Sequence, residues 1–134
     1  MILAASSLPY RNRLNTNFLA QIAGAGDDGF RACELHGCYP GQNLSAAGLE
    51  AIARQGMILS VHANYRGNNL SSLESAMRAS SLSRIKEDIL FAEGINARVV
   101  VAHPGQYEVG YKEAAYAQLN RSLQELLPFA REHR

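Results

Sequence analysis

The sequence predicts an α/β protein built as the first four units of a (β/α) barrel, a half barrel with parallel strands. Three observations lead there. Short β-type runs at residues 2–7, 31–36, 57–62 and 98–103 alternate with helical patterns, an order that requires crossover connections and a parallel sheet. Val99, Val100 and Val101 form an unbroken apolar run, as expected of a parallel strand covered on both faces. Polar residues collect at the C-terminal ends of the four runs, where a (β/α) barrel assembles its site.

Each helix carries its own signals. Phe18, Leu19, Ile22 and Ala25 recur at helical spacing and stop at Gly26, Asp27, Asp28 and Gly29, giving a first helix over about residues 15–25 with a glycine stop. Ser45 is an N-cap for the pattern Leu49, Ile52, Ala53, which Gly56 ends. The third helix carries Leu73, Ala76, Met77, Leu82, Ile85, Ile89, Leu90 and Ala92 ahead of Gly94 and Asn96, with Arg84, Lys86, Glu87 and Asp88 on its polar face. A fourth, over about residues 112–132, shows Ala115, Leu119, Leu123, Leu126 and Leu127, with Pro128 expected to kink or break its end.

Composition narrows the function classes. With 134 residues, 47% hydrophobic and 19% charged, the chain is a single domain with a core of useful size. No stretch approaches the roughly 20 apolar residues of a membrane span, so no membrane partner is expected. Lys+Arg 13 against Asp+Glu 12 gives a net charge of +1 without a basic block, which disfavours a nucleic-acid partner. No positive residue precedes the first apolar run, Arg11 and Arg13 coming after it, so no export signal is expected. Cys33 and Cys38 are then thiols of a cytoplasmic protein. No GxGxxG or P-loop pattern follows any strand, which removes nucleotide binding of those kinds.

Period-two alternation places Ile58, Ser60 and His62 on one face of the third strand, and Val99, Val101 and His103 on one face of the fourth. Parallel neighbours lie about 4.8 Å apart, so the two imidazoles could ligate one ion, zinc being the first choice for nitrogen ligands. Either could equally be a hydrogen-bonded strand-end residue. Glu34 and His36 share a face of the second strand, opposite Cys33 and Leu35, which argues against a Cys33, His36, Cys38 knuckle. Residues 63–72 form a long βα loop in which Asn64, Arg66 and Asn68 suit hydroxyls or phosphate and Tyr65 offers a flat face. The same residues would also serve a solvated loop. His103, Pro104, Gly105 and Gln106 end the fourth strand, Pro104 stopping the ladder and Gly105 allowing close approach.

Val61, His62, Ala63, Asn64 and Tyr65, with Val101, Ala102, His103, Pro104 and Gly105 about forty residues on, resemble the xylose isomerase-like TIM-barrel superfamily. That superfamily includes sugar phosphate isomerases/epimerases and the endonuclease IV enzymes. Glu34, Leu35, His36 and Gly37 resemble the isomerase/epimerase branch. The resemblance covers residues 1–134 as the N-terminal half of such a barrel. It implies a divalent metal (Zn, Mn, Mg or Co) with His62 and His103 as ligands. Glu34, His36, Asn64, Tyr65, Arg66, Asn68 and Gln106 would then face a sugar or sugar phosphate. In the endonuclease IV branch, His62 and His103 match two histidines of one zinc and Tyr65 an aromatic that meets abasic DNA. The carboxylates both branches need belong to the second half, so the chain is expected to be a fragment, inactive alone, that self-associates as a homo-oligomer or joins a missing C-terminal half. A noncatalytic half barrel is the remaining alternative.

Overall fold

The computed structural model describes residues 2–10, 18–36 and 45–133. The start expected for the first helix, Arg11, Arg13, Gly37 and Cys38 lie outside them. The elements run β1 (Ala4–Ser6), α1 (Phe18–Asp27), β2 (Ala32–His36), α2 (Ala46–Ala53), β3 (Ile58–His62), α3 (Ser75–Gly94), β4 (Val99–Val101) and α4 (Lys112–Glu132). The four strands form one sheet in the order β1-β2-β3-β4, each pair parallel. This is the expected half of a (β/α) barrel.

Local chemistry sets the helix ends. Ser45 Oγ accepts from the Gly48 amide at 3.2 Å, satisfying an N–H that the first turn leaves without a helical partner. Two helices end on paired backbone bonds around one left-handed residue. In α1 that residue is Gly29, with Phe30 N–H donating to Ala25 O at 3.0 Å and Gly29 N–H to Gly26 O at 2.9 Å. In α3 it is Asn96, with Ala97 N–H donating to Ala92 O at 2.8 Å and Asn96 N–H to Glu93 O at 3.0 Å.

Strand alternation builds two unlike faces. Ala5, Cys33, Leu35, Leu59 and Val61 are buried against Phe18, Ile22, Ile52 and Ala92. A second cluster, Ala63, Leu70, Leu82, Ile85, Ile89 and Leu126, sits under α3 and α4, and Val100 packs against both. The opposite face carries Ser6, Glu34, His36, Ser60 and His62. It corrects the expectation for β4: Val99 is 54% and Val101 39% exposed. Helices cover one face of this strand, and nothing among the described residues covers the other.

Two further expectations change. Helix α4 continues through Pro128 to Glu132, with Phe129 and Ala130 packed against the second cluster, so tertiary contact outweighs the lost amide and the helix does not break there. Asp88, expected on the polar face of α3, is buried: its Oδ2 accepts the Asn64 amide at 3.3 Å and holds the start of the loop after β3.

Candidate functional site

The sheet register brings the predicted histidines together. His36 and His62 occupy paired positions at the ends of β2 and β3, and their rings stack with centroids 4.6 Å apart. His103, two residues beyond β4, brings its ring to 5.0 Å from His62. Tyr65 closes the group at 5.2 Å from His103 and edge-on to His62 at 6.5 Å. Three imidazoles and a phenol thus line the C-terminal ends of three neighbouring strands.

Hydrogen bonds give the histidines different roles. His36 Nε2 lies 3.1 Å from Ser6 Oγ and 3.6 Å from Glu34 Oε1, and its amide donates to Ser7 Oγ at 3.0 Å. His36 and Glu34 are therefore partners of each other, oriented by β1. His62 Nδ1 lies 3.2 Å from Ala63 O; a proton on Nδ1 leaves the Nε2 lone pair for a ligand. Ser6 and Ser7 escaped the sequence reading, although two hydroxyls at a strand end in a parallel sheet are the available signal.

The loop residues divide into two groups. Asn64 Oδ1 accepts the Arg66 amide at 3.0 Å, and Asn68 Nδ2 donates to Asn64 O. Arg84 Nη1 adds bonds of 3.2 Å to Gly67 O and Asn68 Oδ1. Asn64 and Asn68 thus shape the loop through these bonds, while Tyr65 and Arg66 are exposed on it. Asn69, which the sequence reading passed over, joins this loop to the one after β4. Its Oδ1 accepts from Ser71 N at 3.0 Å and Gln106 N at 3.2 Å, and its Nδ2 donates to Gln106 O at 2.9 Å. Ser71 Oγ adds a bond to Pro104 O at 2.7 Å. Gln106 is held through its backbone, with its side chain at an exposed position.

Cys33 points the other way, into the helix-covered core. Burial first, and the Glu34 carboxylate second, push its thiol up to about 11 from 9.0. It is a packed thiol, remote in orientation from the histidines, which removes it from any metal knuckle with His36.

The His62 and His103 ring centroids lie 5.0 Å apart, and a working metal site takes three or four ligands. Among the described residues no three His, Cys, Asp or Glu side chains converge to hold one.

A parallel βα half barrel with its polar cluster at the C-terminal ends of the strands belongs to the class of TIM-barrel proteins. The model of the xylose isomerase-like TIM barrel family matches residues 22–134, and the chain belongs to that family. Among solved structures it is similar to a D-tagatose 3-epimerase-like protein (21% identity, TM-score 0.79, 99% of this chain and 50% of that one). It is also similar to an L-ribulose 3-epimerase (16%, TM-score 0.77, 99% and 47%). Endonuclease IV from Thermus thermophilus shares the fold at 21% identity and TM-score 0.63, over 91% and 45%. The chain spans about half the length of these structures. No curated protein matches it in sequence. Among the described residues no helix is long and apolar enough to cross a membrane.

Proposed function

We propose that the chain forms the N-terminal half of a metal-dependent sugar or sugar phosphate isomerase/epimerase site. The observation that carries this reading is the row His36, His62 and His103, with Glu34 below it, along the open face at the strand ends. In this reading His62 and His103 donate two ligands and the remaining ligands come from outside the described residues. A bound divalent ion would polarise a carbonyl or hydroxyl oxygen of the sugar. The Glu34–His36 pair, fixed by Ser6, accepts and donates hydrogen bonds to hydroxyls beside that oxygen. Tyr65 and Arg66 on the loop, with Gln106 across from it, bound the mouth.

The test is incubation of the intact protein with a panel of ketoses and ketose phosphates in the presence of Mn, Mg, Co or Zn. Turnover of one sugar that is lost on His62→Ala and His103→Ala is the expected result. If none is converted with any metal, the proposal fails.

The contact of Tyr65 with His103 supports a second reading, a zinc phosphodiesterase acting on abasic DNA, in which the ring would meet the nucleic acid. The net charge of +1 weighs against it. Absence of binding to abasic duplex at low salt would remove it.

A further inference from the structure

Between the loop after β3 and the loop after β4 lies a cleft of about 220 Å³, and neither the three histidines nor Tyr65 is part of its lining. All of its walls belong to two consecutive βα units. The bonds that tie Asn69 to Gln106 and Ser71 to Pro104 hold the two loops together there, and Gly105 beside them has no room for a Cβ. The cleft is thus formed in advance, and a ligand has no loop to order on binding.

The walls supply three kinds of group. Tyr107 and Tyr111 line the cleft with aromatic rings that are 54% and 53% exposed. The Glu74 and Glu108 carboxylates line it too, and neither enters an ion pair among the described residues. A carboxylate only accepts hydrogen bonds. Donors come from the two helices that begin there: Glu74 and Tyr111 immediately precede α3 and α4, and neither side chain caps its helix, so first-turn N–H groups have no helical partner. Gln106, also in the lining, carries a side-chain amide that both donates and accepts.

This combination selects against ions. A phosphate at the helix ends would meet two carboxylates, and a cation at the carboxylates would meet the positive ends of two helix dipoles. A hydroxyl group suits both, because it donates to a carboxylate and accepts from an amide. The C–H face of a sugar ring carries a weak positive polarisation that the negative face of a tyrosine ring attracts. Volume limits the occupant to about one ring, since about 220 Å³ is below the roughly 300–1,000 Å³ of clefts for drug-sized ligands.

We propose that this cleft is a second site, apart from the histidine row and independent of metal, that binds one neutral sugar ring. The inference does not rest on the isomerase/epimerase reading, because no residue of that site lines the cleft except Gln106.

Saturation-transfer NMR titrations of the protein without added metal test it, with the methyl glycosides of glucose, galactose, mannose and xylose as neutral probes and choline and inorganic phosphate as charged ones. At least one glycoside should bind, and more tightly than either ion. Tyr107→Ala and Glu108→Gln, both at exposed positions, should each weaken it about tenfold or more, the size expected for one hydrogen bond to a charged group, with unchanged circular dichroism. His62→Ala should leave this binding as it is. Failure of every glycoside to bind, tighter binding of choline or phosphate, binding that survives both cleft variants, or binding lost in His62→Ala overturns the proposal. Binding at the cleft without turnover of any sugar counts against the enzymatic reading alone, and turnover without binding at the cleft against this one alone.

Discussion

Asn69 packs so closely over Gly105 that the glycine leaves no room for a Cβ. A Cβ on Gly105 would lie 1.9 Å from Asn69 Oδ1 and 3.0 Å from its Cα, and Gly105 holds φ at +104°. Gly105→Ala therefore meets both a clash and backbone strain of about 1–3 kcal/mol. Urea unfolding should show a loss of at least that size. A change within about 0.5 kcal/mol, the range of an ordinary surface substitution, would mean the two loops are not clamped as described.

Asp88 anchors the other end of the same loop by accepting the Asn64 amide. Asp88→Ala removes a buried acceptor and should cost about 1–3 kcal/mol. Asp88→Asn keeps an oxygen there and should cost less. Equal losses for the two variants would show that the acceptor is not what matters.

Cys33 makes stability depend on alkaline pH. Its folded-state thiol titrates at about 11 against 9.0, so its contribution is complete below pH 9 and falls as pH rises from there through about 11. Unfolding free energies compared across that window should converge for the native chain and Cys33→Ala. With Cys38 replaced by serine, Cys33 should react with a thiol reagent only upon unfolding.

The histidines should not be equivalent toward metal. His36 Nε2 is engaged by Ser6 and Glu34, whereas a proton on His62 Nδ1, which faces Ala63 O, leaves Nε2 for a ligand. Titration of the intact protein with zinc or cobalt should lose its binding signal in His62→Ala and His103→Ala, and retain most of it in His36→Ala. A loss as severe in His36→Ala would place that ring among the ligands.

Much of the fold is legible locally. Strand parity alone separates Cys33 and Leu35 from Glu34 and His36, and Ser45 and Gly29 mark helix ends through bonds to residues within a few positions. Asp88, Pro128 and Asn69 show where that legibility stops. Asp88 reads as solvated because the amide it serves lies 24 residues away. Pro128 reads as a breaker because the apolar contacts that keep α4 helical come from other elements. Asn69 is one amide among several in its loop until Gln106, 37 residues on, is brought beside it. The histidines were visible at the level of strand ends, but the difference between His36 and His62 depends on Ser6, 30 residues away from His36, which only the pairing of β1 with β2 brings beside it.

The open face is graded along the strands. Ala4, Ala32 and Ile58 share its lowest level, Ser6, Glu34 and Ser60 the next, and His36 and His62 the one at the mouth. Successive levels are two residues apart, or about 6.6 Å at the usual rise of a parallel strand. From the mouth downward the face of β1 to β3 presents imidazole nitrogens, then a carboxylate and two hydroxyls, and below them only aliphatic side chains. Under the proposed sugar reading, the face would act as a depth stop, with polar contacts on β1 to β3 for two levels and Val99 and Val101 beside them on β4, which would favour small, compact polyols over longer chains.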